Sequence, residues 1–266
     1  MKYYLNDECW VVLEPSNPDE VIQDFREDEN LMYLMKIHKR IIYNIQAPLE
    51  WLHPEVSYVE VINFDVDFEN GEVIINPEPD IEYKPLEDSK LMWALNKFHK
   101  VVYMYDAPID WLPDGVRVLM IKNDNFNYPL NNLPPSLESL SICAYKYIYG
   151  MARCVFNYPL DNLPHNLRHL CLCDLLDYSH ELNNLPPMLE YLELYYMKYN
   201  KKTAKQTGDG DVDGETEKYY KCLCSSVPNI FISDSHGHYM SEKKKLEFNN
   251  YYSKLPKDYK IYLSLY

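Results

Sequence analysis

Two Cys-x-Cys pairs, Cys171 with Cys173 and Cys222 with Cys224, are the residues whose type and spacing first suggest chemistry. Four thiolates can close a tetrahedral zinc site, but zinc-binding pairs normally leave two to four residues between their cysteines. A single intervening residue on a strand instead puts both thiols on one face. His236 and His238 could add ligands, yet no third partner accompanies them, and they read as loop residues. Residues 209–217, DGDVDGETE, resemble the front of a calcium loop: Asp209, Asp211 and Asp213 take positions 1, 3 and 5, Gly214 the turn, and Glu217 position 9. Position 12, where a bidentate glutamate is due, holds Tyr220, so the segment reads as a polar insertion over 198–218.

Covalent and acid–base catalysis find no foothold. There is no G-x-S-x-G, no Walker Gly-Lys-Ser/Thr and no H-E-x-x-H. His38 and His99, each followed by Lys, recur within a long duplication, and recurrence of that kind points to architecture. The sequence therefore predicts no catalytic residues, no cofactor and no metal site: the chain is not expected to be an enzyme.

Composition narrows the partner. A formal charge of −15 over 266 residues opposes binding to phosphate backbones, which depends on clustered Lys and Arg, and favours a basic protein partner or serves solubility alone. The basic runs Lys198–Lys205 and Lys243–Lys245 read as solvated faces. Seven cysteines suit a reducing compartment; if their strands are adjacent, Cys143 and Cys173 lie side by side, close enough for a disulfide, with two reduced thiols the expected state there. No apolar run is long enough for a membrane span, MKYYLNDECW lacks a signal-peptide core, and no Asn-x-Ser/Thr acceptor occurs, so a cytoplasmic protein is expected.

The elements that must position these residues are repeats. Residues 126–142 read FNYPLNNLPPSLESLSI, residues 156–172 FNYPLDNLPHNLRHLCL, and residues 180–194 HELNNLPPMLEYLEL. Residues 107–121 (APIDWLPDGVRVLMI) and 47–61 (APLEWLHPEVSYVEV) keep the frame. Anchors Leu112, Leu133, Leu163 and Leu185 are spaced 21, 30 and 22 residues apart. Proline fixes the turn, the final L-x-L forms a short strand, and stacked copies bury what one coil cannot. These strings resemble the FNIP repeat, a leucine-rich-repeat relative found in social amoebae and giant DNA viruses of amoebae. The resemblance implies a binding protein without catalytic residues, with a structural component of a giant-virus particle or factory as one alternative. Many relatives place an F-box first, which implies ubiquitin-ligase adaptor work as another; residues 1–50 show no Leu-Pro-x-Glu opening.

Residues 31–51 match 91–111 once one-residue gaps are allowed inside, and apolar residues fall at helical spacing from Leu31 to Ile45 and from Leu91 to Tyr105. Asn70-Gly71 marks a two-residue hairpin. The predicted fold is an α/β repeat, a leucine-rich-repeat-like solenoid with short parallel strands on one face. Divergent helix-plus-strand units occupy 1–106, regular repeats 107–197, and a C-terminal repeat and cap 219–266, with strands near 227–233 and after Leu255-Pro256. Its outward columns run Tyr58, Val118, Ser139, His169, Tyr191; Glu60, Met120, Ser141, Cys171, Glu193; and Ile62, Lys122, Cys143, Cys173, Tyr195. The concave strand face is the expected protein-binding surface, with Tyr58, Glu60, Met120, His169, Cys171, Tyr191, Glu193 and Tyr195 as candidate contacts.

Overall fold

The computed structural model describes residues 1–77, 83–143, 154–173, 175, 178–180, 182, 184–195, 229–233 and 260–263, with side chains described as far as Glu193. The calcium-like segment, Cys222, Cys224, His236, His238 and both basic runs lie outside these residues. The chain divides into two compact units, Met1–Tyr105 and Asp106–Tyr266.

The first unit is a mixed sheet. Strands β1 (Lys2–Leu5) and β2 (Val11–Glu14) pair antiparallel, a hairpin the repeat pattern did not announce. Helix α1 (Glu29–His38) follows, then β3 (Arg40–Tyr43), β4 (Tyr58–Val61), β5 (Phe64–Asp67), β6 (Glu72–Ile75), helix α2 (Ser89–Lys97) and β7 (Lys100–Tyr103). Strand β3 is parallel to β2 and β4, and β7 is parallel to β6, whereas β4, β5 and β6 form an antiparallel meander.

Both helices start alike. The carboxylate of Asp28 accepts a hydrogen bond from the amide of Leu31 at 3.0 Å, and that of Asp88 accepts from the amides of Lys90 and Leu91, both at 3.1 Å. Each satisfies amides that a helix N-terminus leaves without intrahelical partners. Leu31 and Met35 on α1, and Leu91, Ala94 and Leu95 on α2, are the buried faces.

The sequence pattern is corrected at three places here. The apolar periodicity does not continue as helix: Lys39 enters the left-handed region at φ 59, and Ile41, Ile42, Val101 and Val102 lie on strands. A short apolar run with β-branched residues fits either period, so the helical template overreached. The duplication also needs no gap, because capping aspartates Asp28 and Asp88 and strands β3 and β7 fall in one constant offset. His38 then ends α1 while His99 lies beyond the end of α2, opposite Lys39, so the two histidines are not equivalent. Finally, the two-residue hairpin is Ile62-Asn63, between β4 and β5. Asn70-Gly71 ends a four-residue connection, where Gly71 takes φ 65 and Asp67 accepts from the Asn70 amide. Ile62 is thus an exposed turn residue and not a strand position.

The second unit is built by recurrence. Strands β8 (Val118–Lys122), β9 (Ser139–Cys143), β10 (His169–Cys173), β11 (Tyr191–Tyr195), β12 (Asn229–Ser233) and β13 (Lys260–Leu263) pair in sequence order, every neighbour parallel. Before each of β8 to β11 the Leu-Pro pair makes the same turn: the carbonyls of Pro113, Pro134, Pro164 and Pro186 accept from the amides of Val116, Leu137, Leu167 and Leu189. Those four apolar residues are buried, so the turn drives a side chain inward before the strand begins. The residue that precedes the strand then links coils, as Arg117 O accepts from the amides of Glu138 and Ser139, and Glu138 O from those of Arg168 and His169.

Leu119 and Ile121, Leu140 and Ile142, Leu170 and Leu172, and Leu192 have no exposed surface and stack in register between strands. Behind them runs an aromatic spine. Phe126 stacks on Phe156 at 6.2 Å between centroids, and Phe156 on Tyr178 at 6.3 Å. Asparagines complete the lattice: Asn127 Oδ1 accepts from the amide of Asn157, and Asn157 Oδ1 from that of Ser179. The F-N motif is thus read twice, its ring filling the core and its amide holding the next coil.

Candidate binding face

Because side chains alternate along a strand, the leucines turned into the core leave the other positions on the opposite face. Register aligns Val118 with Ser139, Ser139 with His169 and His169 with Tyr191; one step on, it aligns Met120, Ser141, Cys171 and Glu193. The face so formed is polar on β9 and β10 and aromatic and acidic on β11. Tyr191 is 42 % exposed.

Three side chains on three successive strands are joined. Ser139 Oγ lies 3.1 Å from His169 Nδ1, and His169 Nε2 lies 3.3 Å from Glu193 Oε1. In the neutral tautomer that fits both contacts, Nε2–H donates to the carboxylate and Nδ1 accepts from the serine hydroxyl. The Tyr191 ring meets the imidazole edge-on at 6.2 Å. A serine, an imidazole and a carboxylate in line could in principle pass a proton, as in acyl-transfer enzymes. The amides of these strands are engaged in the parallel ladder. What the trio achieves is to hold His169, Glu193 and Tyr191 in fixed orientations. Sequence columns placed these residues side by side, but the diagonal reach from His169 to Glu193, one pair further along, could have been found only by considering diagonal neighbours.

Below the trio sit three thiols. Cys171 is only 8 % exposed, Cys143 and Cys173 are half-buried, and no disulfide joins them. Hydrogen bonds from the Cys171 and Cys173 thiols, aided by the Lys122 ammonium, hold the Cys143 thiol well below its ordinary range. Conversely, the Cys171 thiol is pushed up, chiefly by its bonds to Cys143 and Cys173 and then by burial. Among the described residues, no group of three or more His, Cys, Asp or Glu side chains is arranged to hold a metal ion.

Of the remaining candidates, Met120 is half-buried on the same face. The backbone of Tyr195 pairs with Cys173, while its side chain lies outside the described residues. Tyr58 and Glu60 belong to the first unit, on β4. There Tyr58 donates to Asp65 Oδ2 at 2.7 Å and packs edge-on against Trp10 at 5.7 Å. Burial, opposed by that hydrogen bond and reinforced by Glu60 opposite, raises the Asp65 carboxyl to about 6. The first unit also has a cleft of about 300 Å³ lined by Gln46, Pro48, Ser89, Lys90 and Trp93 among others. In it Lys90 Nζ donates to Gln46 Oε1 at 3.1 Å, and burial lowers the amine.

No helix among the described residues is long and apolar enough to cross a membrane. Residues 105–144, which hold β8, β9 and the first two Leu-Pro turns of the second unit, match the family model of the FNIP repeat. No curated protein and no solved structure matches the chain.

Proposed function

We propose that this chain, which carries an FNIP repeat at residues 105–144, is a non-enzymatic protein-binding module whose parallel strands form a leucine-rich-repeat-like solenoid. Its contact surface is the outward face of β8 to β11. The observation that carries this reading is the linked set Ser139–His169–Glu193 with Tyr191 against it. Side chains already held by neighbours lose little freedom when a partner arrives, and an exposed tyrosine contributes large contact area at low entropy cost.

The partner is a protein with a basic contact surface. A chain of formal charge −15 attracts such a surface at long range and repels nucleic acid. Affinity capture from native cells, quantified by mass spectrometry at low and at high salt, tests this. A protein retained at low salt, released progressively as salt rises and indifferent to nuclease treatment supports it. Capture that disappears with nuclease would refute it.

A further inference from the structure

We propose that Cys143, Cys171 and Cys173 form a peroxide-responsive thiol site, in which Cys143 is the attacking sulfur, Cys173 resolves it and Cys171 positions it. The site rests on register. Parallel β9 and β10 pair as far as Ile142 with Leu172, so the next pair brings Cys143 beside Cys173. Adjacent strands lie about 4.8 Å apart, inside the Cα separation a disulfide accepts, and both side chains leave the same face of the sheet. Cys171 stands two residues back on β10, on that same face but diagonal to Cys143, where a disulfide would be overstretched while a hydrogen bond is not.

Burial divides the roles. Cys143 and Cys173 are half-buried and can be reached, whereas Cys171 is covered by its neighbours. Lys122 aligns with Cys143 on β8 and places an ammonium beside it. Thiolate is the reacting form of cysteine, and a cation together with S–H donors favours it.

The chemistry balances with hydrogen peroxide as oxidant. The Cys143 thiolate attacks one peroxide oxygen, the O–O bond breaks, and hydroxide leaves to collect a proton as water. Cys143 becomes a sulfenic acid. The Cys173 sulfur then attacks the Cys143 sulfur, the S–O bond breaks, and the departing hydroxide takes up the Cys173 thiol proton and leaves as water. Two thiols are oxidised by two electrons to one disulfide, and one peroxide is reduced to two waters. The product would sit inside the face assigned to partner binding, but its formation needs no partner, so failure here and failure of the binding reading are separate results.

The full reduced chain treated with hydrogen peroxide at pH 7, quenched with acid and alkylating agent and digested, provides the test. The Cys143–Cys173 disulfide should form, and Cys143 should be consumed roughly tenfold faster than the exposed Cys9. In Cys173→Ser, Cys143 should be trapped as a sulfenic acid by dimedone, and Cys171→Ser should slow the reaction without changing the disulfide formed. Cys143 oxidised no faster than Cys9, or a Cys143–Cys171 disulfide as the main product, would overturn the assignment.

Discussion

The ring of Tyr178 lies 6.3 Å from that of Phe156 and within 9° of parallel, and its hydroxyl is buried with the Leu160 backbone amide as a polar neighbour. Phe126 and Phe156 fill the same place in the two preceding coils without a hydroxyl. Tyr178→Phe should therefore keep the stack and remove a buried, weakly satisfied hydroxyl, leaving stability within about 1 kcal/mol of the unaltered chain. The denaturant midpoint at constant slope measures it. Phe156→Ala, which removes the middle ring of the spine, should cost about 3–5 kcal/mol by the same measurement.

Leu140 has no exposed surface and is in register with Leu119 and Leu170 on the strands either side. Leu140→Ala should cost about 2–5 kcal/mol, through lost burial and the cavity left between coils. Ser139→Ala, one residue away but on the opposite face, should cost about 1 kcal/mol or less, since only the contact to His169 is lost. Thermal unfolding of both variants separates core from face.

Charges alternate where the coils meet. Arg117 faces Glu138 at 3.8 Å, Arg168 faces Glu190 at 3.3 Å, and the backbone places Glu138 next to Arg168. These groups are about half exposed, so Glu138→Gln should change stability by roughly 0.5 kcal/mol or less. Glu138→Arg instead sets three like charges in a row and should cost more, with the loss shrinking in high salt. Denaturation at two ionic strengths measures the difference.

Asp65 is expected to make the first unit less stable as pH rises. Its carboxyl titrates near 6 when folded against an ordinary 3.8, so between those values the folded state binds more protons than the unfolded one. Stability from this group is greatest below about pH 4 and falls through pH 6. Discounted for its partial exposure, the change is on the order of 1–2 kcal/mol. Asp65→Asn keeps an acceptor for the Tyr58 hydroxyl and should flatten that stretch of the pH–stability curve.

The second unit was largely legible because each of its coils repeats the same local instruction. Leu-Pro sets the turn, L-x-L sets the strand, and the anchor spacing fixes which residues align, so the outward columns from Val118 to Glu193 follow from residue order alone. The first unit was less so. Ile41-Ile42 and Val101-Val102 satisfy a helical and a strand period equally, and what ends α1 is the left-handed Lys39, a conformation that no residue type there announces. The β1–β2 hairpin carries no repeat signature. For the face itself, alternation showed which residues point outward. The hydrogen bonds of His169 depend on rotamers and diagonal reach, which spacing does not encode.

The binding face is tested most directly by comparing what three forms of the chain retain from native cells. These are the unaltered protein, His169→Ala with Tyr191→Ala, and Tyr158→Ala as a control that removes an exposed aromatic lying on none of the strands. Circular dichroism should confirm that all three fold alike. The same protein should then be retained by the unaltered chain and by Tyr158→Ala, and reduced at least about tenfold in the face variant, as expected when buried aromatic contacts are removed. Equal retention by all three forms would contradict the assignment of β8 to β11 as the contact surface.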